Sequence, residues 1–332
     1  MISWTQPNAM ENAMSDIITR HPANPLLSAP DIPYPATLIF NAGVTKWEGR
    51  YIMVFRNDYG GTPGTSTFEG TNIGIAVSDD GIAWKPRPQP WIEWNDDEIR
   101  RAYDPRITVV EDRCYLCFAV DTNHGIRGGI AVTDDFDQWE VLSLSAPDNR
   151  NMVIFPQRRE GKFMRLERPF PIYGRGGPEN FDLWFSDSPD GRYWGNTQLV
   201  LGSEQVPWSN CKIGPGAPPV KTSEGWLTVF HAVHTDKTRE LYAWHPNWFK
   251  TYTIGLMLLD LEKPWVVKGM YDKPLMSPEK KYELEGFRGN VLFPGGLILE
   301  DNGEVKIYYG AADTVECLAT AHVDDLIGLC TS

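Results

Sequence analysis

Short apolar runs of strand length, rather than helical periodicity, dominate the hydrophobic pattern of this chain. Five times along the sequence, two such runs flank a Glu-Gly, Glu-Asp or Asn-Gly turn, and a third run follows. Two apolar runs joined by a tight polar turn are typical of a β-hairpin. The pattern therefore predicts an all-β protein built from repeated antiparallel units. The five hairpin segments are VTKWEGRYIMVFR, ITVVEDRCYLCFAV, MVIFPQRREGKFMRLE, PVKTSEGWLTVFHAV and LILEDNGEVKIYYGAAD.

A turn motif of the form S/T-D-D-x-x-x-W or P-D-G-x-x-W follows the third run of the first three units. Its tryptophans, Trp84, Trp139 and Trp194, are equally spaced along the chain. A looser copy ends at Trp265, and a fifth copy near the end of the chain lacks the tryptophan. Five repeats of three or four strands predict a five-bladed β-propeller, with a β-sandwich as the alternative.

The length of 332 residues would allow two domains, but five repeats of one unit account for it within a single domain. The segment MENAMSDIITR precedes the first repeat and has no strand pattern of its own. We therefore expect residues 1–24 to form an N-terminal arm or short helix. Residues 25–332 are expected to form one five-bladed propeller domain.

Four of the units each contain two polar or glycine positions at the same separation along the chain. This separation is the one between Asp104 and Asp121. In each unit the first position opens the inner hairpin and the second closes it. The two ends of an antiparallel hairpin lie at the same edge of its sheet, and in a propeller those edges surround one mouth of the central channel. Six of these side chains should therefore converge on one site: Asp104, Asp121, Asn151, Arg168, His231 and Asp313. The four pairs are Asp104 and Asp121, Asn151 and Arg168, Gly214 and His231, and Gly296 and Asp313.

Composition and charge restrict the class of partner. With 31 Lys and Arg against 44 Asp and Glu, the net charge of −13 disfavours nucleic acids and anionic membranes. The aromatic content of 12% is too high for a disordered or coiled-coil chain. Five cysteines do not resemble a secreted disulfide framework, the N-terminus lacks a signal-peptide pattern, and no run approaches the ~20 apolar residues of a membrane helix. We expect a cytoplasmic protein.

Basic side chains gather at the predicted mouth in spite of the acidic net charge. They are Arg150, Arg168, Lys212 and His231. Guanidinium groups match phosphate-like oxygens bidentately and a lysine adds a compact point charge, so this set predicts an anion pocket. The chain has neither a P-loop nor a dinucleotide-binding fingerprint. We therefore expect a small anion other than a nucleotide.

Other interpretations of these residues stay open at this point. Asp104 lies in an Asp-Pro step that could simply start a turn, and the basic residues could form salt bridges at a rim. Glu167 alternates with its strand neighbour and should face away from the pocket. Cys114 and Cys117 form a lone C-x-x-C on a strand, where a separation of three places the side chains on opposite faces. We expect no metal site.

Two loops carry features that suit a carbohydrate ligand. The segment from Tyr59 to Asn72 is rich in Gly and Thr and could form a lid. An insertion in the fourth unit carries Tyr242, Trp244, Trp248 and Phe249 and makes the interval before the fourth turn motif longer than the others. Such aromatic side chains could stack on sugar rings, or they could cover a contact between blades or between copies of the chain.

Several stretches of the sequence resemble glycoside hydrolase family 130, the family of inverting β-mannoside phosphorylases. The resemblance extends from about Asn24 to Leu329 and implies a five-bladed propeller that cleaves β-mannosides with inorganic phosphate. The matching stretches are NAGVTKWEGRYIMVFR, AYDPRITVVED, DNRNMVIFPQR, RLERP, KIGPGAPPVKTSEGWLTVFHAV and VLFPGGLILEDNGEVKIYYGAADT.

The resemblance also implies roles for individual residues. Asp104 in YDPR corresponds to the single catalytic acid, which in this family protonates the glycosidic oxygen through the 3-hydroxyl of the mannosyl group. The implied phosphate-binding residues are Arg150, Asn151, Arg168, Lys212 and His231. The implied sugar-binding residues are Arg56, Asn57, Asp58, Tyr103, Asp313 and Tyr242.

Chemical reasoning agrees with this reaction. An inverting hydrolase needs an acid and a base that activates water, whereas phosphate is already an anionic nucleophile and needs only a cationic site. Inversion of a β-mannoside yields α-mannose 1-phosphate, without a metal or organic cofactor. We expect specificity for β-1,4-mannooligosaccharides or β-1,4-mannosyl-N-acetylglucosamine. The alternatives are a β-1,2-mannoside phosphorylase, a hydrolase of the same fold, and a non-catalytic propeller that binds glycans; a homo-oligomer is compatible with each.

Overall fold

Short apolar runs form antiparallel strands over much of the described chain, as expected for an all-β protein. The computed structural model describes residues 17–62, 65–171, 175, 180–238 and 248–331. Its strands form five antiparallel meanders, M1 to M5, each of four strands in the order of pairing. The first three meanders follow the chain without interruption. M1 contains β2 (Leu38–Trp47), β3 (Arg50–Tyr59), β4 (Gly70–Ser78) and β5 (Lys85–Pro86); M2 contains β6 (Ile99–Val110), β7 (Arg113–Thr122), β8 (Gly125–Thr133) and β9 (Glu140–Leu144); M3 contains β10 (Asn149–Ile154), β11 (Phe163–Pro169), β12 (Leu183–Ser188) and β13 (Gly195–Leu201).

The last two meanders are less regular. M4 contains β14 (Lys212–Pro215), β16 (Trp226–Thr235), β17 (Lys250–Leu259) and β18 (Val267–Met270); M5 contains β19 (Leu292–Leu299), β20 (Glu304–Ala311), β21 (Val315–His322) and β1 (Thr19–Arg20). M4 has an additional short strand, β15 (Val220–Lys221), beside β16. M5 joins M1 in one sheet through a single parallel pair between Gly296 and Val44. The helices are α1 (Lys281–Leu284), α2 (Val323–Thr331) and two 3-10 turns, Ala29–Asp31 and Ser203–Gln205.

The N-terminal boundary differs from the expectation. Thr19 and Arg20, assigned above to an arm outside the blades, pair with Thr320 and Ala319 of β21 and complete M5. Arg20 also donates hydrogen bonds to the buried carboxylate of Glu283. The start of the described chain is therefore part of the last sheet, because the outer edge of β21 has backbone groups that need partners. Residues 1–16 of the predicted arm lie outside the described residues.

The apolar side chains pack between neighbouring meanders rather than at one centre. One hydrophobic cluster joins M1 to M2, a second M2 to M3, a third M3 to M4 and a fourth M4 to M5. A fifth cluster joins M5 back to M1 through residues such as Met53 and Tyr308. Both faces of each sheet are therefore covered, and the first strands β2, β6, β10, β14 and β19 lie at the inner edges. None of the helices described is long and apolar enough to span a membrane.

The repeated turn motif has the same hydrogen bonds in its first four copies, whereas the fifth begins helix α2. In the first copy Asp80 Oδ1 accepts bonds from the backbone N–H groups of Ile82 and Ala83. Asp135, Asp190 and Asp260 accept the equivalent pairs. A short carboxylate that satisfies two backbone donors defines a tight turn, and this explains why aspartate recurs at the position. These bonds also lower the pKa of the Asp80, Asp135 and Asp190 carboxyls.

Candidate active site

Polar side chains from all five meanders surround a cavity of about 360 Å³ at the inner edges of the sheets. Its wall combines four carboxylates, six cations and six aromatic rings among the described residues. This is the volume of a pocket for a small ligand such as one or two sugar rings. The lining residues are Asn41, Arg56, Asp58, Ser66, Phe68, Arg101, Tyr103, Asp104, Asp121, Ile126, Arg150, Asn151, Arg168, Lys212, Trp248, Tyr252, Phe287, Arg288, Val291, Phe293 and Asp313.

Three of the inner strands carry a β-bulge at the cavity. The antiparallel register shifts between Phe40 and Gly43 in β2, and equivalent shifts occur in β6 and β10. Each bulge contains one residue with a positive φ: Asn41 at 57°, Asp104 at 53° and Asn151 at 56°. Asn and Asp are the non-glycine residues that tolerate this conformation best. The bulge therefore explains both the residue type and the presence of these three side chains in the cavity wall.

The convergence expected from the constant interval is confirmed for five of the six side chains, and the sixth, His231, lies behind the cavity wall. Asp104, Asp121, Asn151, Arg168 and Asp313 line the cavity, although they come from three different meanders. The two residues of a pair are directly opposed across neighbouring strands in only some of the pairs. Because of the bulges, the direct backbone partners are Arg101 for Asp121 and Arg150 for Arg168, while Gly214 does pair with His231.

Arg56 connects Asp58, of the implied sugar-binding set, to Asp104, the implied catalytic acid. Its Nε and Nη2 donate to the two oxygens of Asp58 at 2.9 and 2.7 Å, and its Nη1 donates to Asp104 Oδ1 at 3.3 Å. Burial opposes the charged form of Arg56, but the two carboxylates outweigh it and raise the pKa of the guanidinium. The arrangement fixes Asp104 relative to β3.

The prediction that Asn57 binds sugar is wrong. Its side chain is fully buried, does not line the cavity, and donates to Pro35 O and Asn72 Oδ1. Consecutive strand residues alternate between the two faces of a sheet, so Asn57 must lie on the face opposite its neighbours Arg56 and Asp58. The FRND stretch therefore contributes two side chains to the cavity rather than three.

A hydrogen bond from Asn41 and the nearby cations favour the carboxylate form of Asp104. Asn41 Nδ2 donates to its Oδ1 at 3.0 Å, beside the bond from Arg56. Burial opposes ionisation, but the charge of Arg56, the bond from Asn41 and the charges of Arg106 and Arg150 hold the pKa of the Asp104 carboxyl below its usual value. A negatively charged ligand in the same cavity would act in the opposite direction.

The other cavity carboxylates also have arginine partners. Asp121 accepts from Arg101 Nε at 2.7 Å and from the Tyr103 hydroxyl at 2.8 Å. Burial and the nearby acids raise the pKa of that hydroxyl to about 12, although Arg150 opposes them. Asp313 accepts from Arg288 Nη1 at 3.0 Å, and burial raises the pKa of its carboxyl despite that arginine.

Three cations on another part of the wall have no such partner. Arg150, Arg168 and Lys212 form no ion pair with a carboxylate of the described residues, although all three line the cavity. Burial and the charge of Arg150 lower the pKa of Arg168 to about 9. Burial and the charges of Arg168, Lys250 and Arg150 lower the pKa of Lys212 to about 6. Uncompensated positive charge in a partly buried wall defines an anion-binding site.

We expect anion binding at this site to be coupled to proton uptake by Lys212. Burial and the neighbouring cations favour the neutral form of Lys212, and a bound dianion raises its pKa and favours the charged form. Sulfate is a suitable probe because it does not titrate near neutrality. Calorimetric titration with sulfate at pH 7, in buffers of different ionisation enthalpy, should report net uptake of a proton. Lys212→Met should bind sulfate more weakly and without that proton; equal uptake in both proteins would contradict the assignment.

His231 lies behind the cations rather than in the cavity wall. Its ring is fully buried, Nε2 accepts a hydrogen bond from Arg168 Nη1 at 3.0 Å, and Nδ1 donates to Pro215 O at 3.2 Å. Burial and the adjacent Arg168 and Lys212 charges lower its pKa, so the neutral tautomer with a proton on Nδ1 fits both contacts. In this arrangement His231 orients Arg168.

Aromatic rings form the remaining wall. Trp248 stacks on Tyr252 with ring centroids 5.8 Å apart, and Phe68 contacts Phe287 edge to face at 5.3 Å. Trp248, from the aromatic insertion, and Ser66 and Phe68, from the predicted lid, therefore reach the cavity. Tyr242, expected to bind sugar, lies outside the described residues, as does the neighbouring Trp244. Phe249 is described and does not line the cavity.

Sequence reasoning missed several polar residues of this wall, including Asn41, Arg101 and Arg288. Asn41 had a usable signal, because it precedes Asp58 by the same interval that identified the other pairs. Nothing in the sequence distinguishes Arg101 or Arg288 from surface arginines. Glu167 does not line the cavity and instead accepts from Arg165, as expected for its face of β11. The described residues contain no cluster of three or more His, Cys, Asp or Glu that could hold a metal.

Comparison with known proteins agrees with the all-β fold and with the resemblance observed in the sequence. Residues 19–332 match the family model described as beta-1,4-mannooligosaccharide phosphorylase. A Beta-1,4-mannooligosaccharide phosphorylase of Ruminococcus albus is 33% identical over 94% of this chain and 90% of its own. A Beta-1,2-mannobiose phosphorylase of Listeria innocua is 32% identical over 73% of this chain and 64% of its own. The solved structure of a Listeria innocua Beta-1,2-mannobiose phosphorylase, in complex with beta-1,2-mannobiose, has the same fold, with a TM-score of 0.82 at 24% identity over 94% of this chain and 99% of its own.

The cavity, with its acid and its cations, and these similarities define an enzyme of the glycoside phosphorylase class. The chain belongs to glycoside hydrolase family 130. The resemblance observed in the sequence is thereby confirmed over nearly the whole chain.

Proposed function

We propose that the protein is an inverting phosphorylase that cleaves β-1,4-mannosides with inorganic phosphate to give α-mannose 1-phosphate. One observation carries the proposal. Arg150, Arg168 and Lys212 have no carboxylate partner among the described residues and share a cavity with Asp104. The reaction requires an acid for the leaving group and a cationic site for the nucleophile, and the cavity contains both.

The state of the other carboxylates favours phosphorolysis over hydrolysis. An inverting hydrolase needs a second carboxylate that is free to take a proton from water. Asp58, Asp121 and Asp313 line the cavity, but each accepts hydrogen bonds from an arginine. A carboxylate that is already bonded to an arginine is less available to take a proton from water. Phosphate needs no base, and it supplies the negative charge that the three cations lack.

The carboxylate side of the cavity suits the mannosyl group. Asp58, Asp313 and the Tyr103 hydroxyl offer acceptors for sugar hydroxyls, and Arg56 and Arg288 offer donors. Trp248 and the rings beside it provide a flat surface of the kind on which a sugar of the leaving oligosaccharide stacks. Phosphate on one side and mannoside on the other would place the anomeric carbon between them.

Phosphate binding also prepares the acid. With the cavity empty, the surrounding cations hold the pKa of Asp104 low, which is unsuitable for a proton donor at neutral pH. A phosphate dianion beside Arg150 and Arg168 offsets their charge and raises the pKa of Asp104. In the proposed reaction the protonated Asp104 then transfers its proton to the leaving oxygen by way of a mannosyl hydroxyl. No metal or organic cofactor takes part.

The β-1,4 linkage is the finer part of the proposal. It is supported by the family description and by the relative whose sequence matches 94% of this chain, whereas the sequence similarity to the Listeria innocua β-1,2-mannobiose phosphorylase covers 73%. Synthesis from α-mannose 1-phosphate with mannose, mannobiose and N-acetylglucosamine as acceptors, followed by linkage analysis, tests it. A β-1,2-linked product would show that the enzyme is specific for β-1,2-mannosides, and the proposal of phosphorolysis would stand.

We also propose that the five meanders are the blades of a five-bladed propeller. The hydrophobic clusters support this arrangement, since each joins consecutive meanders and one joins M5 to M1. The pairing of β1 with β21 supports it as well, because a strand from the start of the chain completes the last sheet. In a propeller the first strands of the blades surround a central channel, and the candidate active site lies at its mouth.

The presence of phosphate decides between phosphorylase and hydrolase. We expect β-1,4-mannobiose to be consumed at least about 100-fold faster with 10 mM phosphate than without it, since removal of the nucleophile leaves only slow attack by water. The product should be α-mannose 1-phosphate, observable by ³¹P and ¹H NMR. Equal release of free mannose in both conditions would establish a hydrolase instead. Absence of turnover in either would favour a glycan-binding protein.

A further inference from the structure

Arg106 is a buried cation next to Asp104, and the proposed reaction does not use it directly. It lies on β6 just beyond Asp104, is 4% exposed, and is not part of the cavity wall. Its guanidinium donates to four backbone carbonyl oxygens. The acceptors are Gly216 O at 2.7 Å, Asn41 O at 2.9 Å, Pro105 O at 2.7 Å and Pro294 O at 3.1 Å.

These four carbonyl groups come from four of the five meanders. Asn41 belongs to M1, Pro105 to M2 and Pro294 to M5, while Gly216 directly follows β14 of M4. A guanidinium presents five N–H donors in a rigid plane, and a lysine in its place could not reach as many acceptors. Arg106 therefore ties the inner edges of these meanders together at one point.

The close approach of the chains depends on small residues at this point. A β-carbon added at Gly43 would come within 2.7 Å of Arg106 Cα, and one added at Gly295 within 1.9 Å of Ala42 O. Side chains at these positions would push β2, β6 and β19 apart. The strands are packed around the guanidinium rather than loosely gathered about a channel.

Two of the four acceptors lie within the bulges that shape the cavity. Pro105 follows Asp104 in the β6 bulge, and Asn41 is the bulged residue of β2, whose amide donates to Asp104 Oδ1. The positive charge of Arg106 also acts on Asp104 directly. Arg106 thus holds the backbone on both sides of the contact between Asn41 and Asp104 without touching the cavity.

We propose that Arg106 is a positioning residue for the reaction: it fixes the two bulges that place Asp104, and its positive charge stabilises the Asp104 carboxylate from below. The proposal rests on the proposed function only in assigning a reaction to Asp104. Other charged or titratable groups also act on Asp104, and they remain in place in the variants below. They are Arg56, Tyr103, Arg150, Arg168, Asp313 and Glu316.

Two substitutions separate the charge of Arg106 from its hydrogen bonds. Arg106→Lys keeps the charge but cannot hold four carbonyl groups, and Arg106→Met removes both. We expect kcat to fall about 10-fold in the lysine variant and about 100-fold or more in the methionine variant, because small displacements of a catalytic group have effects of this size. The KM for phosphate should change less than about 3-fold in both, since the anion site is not altered.

A direct measurement on Asp104 distinguishes positioning from a merely structural role. In protein labelled with ¹³C at aspartate carboxyl carbons, the Asp104 resonance is identified by its loss in Asp104→Asn and titrated without substrate. The pKa of Asp104 should rise in Arg106→Met and stay unchanged in Arg106→Lys. Arg165→Met is the matched control, because Arg165 is another buried arginine, bonded to Ser186 and Glu167 and absent from the cavity wall. It should lower stability without moving this pKa.

The outcomes are separable. An unchanged Asp104 pKa in Arg106→Met, or kcat within about 3-fold of wild type in folded protein, overturns the proposal. If Arg106→Met does not fold, the lysine variant decides: a kcat equal to that of wild type contradicts the positioning role. Lack of phosphorolysis by the wild-type protein would refute the proposed function. The titration of Asp104 would still test Arg106 in that case, because it needs no turnover.

Discussion

Replacement of Asp104 by asparagine should reduce phosphorolysis of β-1,4-mannobiose by a factor of about 100 to 10,000, the usual contribution of a general acid. Asparagine keeps the size of the side chain, and its oxygen can still accept from Asn41 Nδ2 and Arg56 Nη1. The variant loses the ability to carry a proton to the leaving group. Folding should be intact, as judged by circular dichroism and thermal melting.

The choice of leaving group tests the acid role more sharply. The dinitrophenolate group of a 2,4-dinitrophenyl β-mannoside leaves without being protonated. The loss of activity in Asp104→Asn should therefore be much smaller with this substrate than with mannobiose. Asp121→Asn is a suitable comparison, because Asp121 is a carboxylate of the same cavity held by Arg101. Its effect should be similar for both substrates. A similar defect for both substrates in Asp104→Asn would show that Asp104 acts through structure rather than as an acid.

Replacement of Arg168 by alanine should impair the use of phosphate far more than the use of mannoside. We expect the KM for phosphate to rise about 30- to 100-fold, because a charge-assisted hydrogen bond to an anion is lost, while the KM for mannobiose stays within about 3-fold. Initial rates over a matrix of both substrate concentrations measure the two constants. Arg168→Ala also removes a positive charge that lowers the pKa of Lys212, so that pKa should rise in the variant.

Arg101 provides the matched control for this prediction. It is an arginine of the same cavity, but its charge is already balanced by Asp121 at 2.7 Å. Arg101→Ala should therefore leave the KM for phosphate within about 3-fold of wild type. Equal increases in the KM for phosphate and for mannobiose in Arg168→Ala would remove Arg168 from the anion site. An equal effect of both arginine variants would show that the cavity responds to net charge alone.

The site illustrates how far a sequence interval can be used. The constant spacing located Asp104, Asp121, Asn151, Arg168 and Asp313 in one cavity because hairpin ends meet at a sheet edge whatever the details of pairing. The interval does not determine which face of the sheet each side chain occupies. Asn57 was assigned to the cavity together with its neighbours, although alternation along β3 turns it to the other face.

The bulges mark the limit of that reasoning. A bulge shifts the register of a strand and depends on how two strands pair, which a single strand's sequence does not specify. The positive φ of Asn41 and Asp104 could therefore not be predicted from the sequence of either strand alone. The same holds for Arg106, which looks in the sequence like any basic residue after a proline. Its four acceptors are contributed by segments up to 188 residues away.

By itself, the sequence determined the all-β class, the five repeated units, the family and most of the residues that meet at the cavity. These properties follow from local rules, because apolar runs of strand length, turn chemistry and repeat length each act over a short stretch of chain. The tertiary structure decided which cations remain without a carboxylate partner among the described residues, that His231 lies behind Arg168, and that Arg106 holds four meanders together. Charge balance and burial are sums over groups that only folding brings close, so no local pattern could specify them.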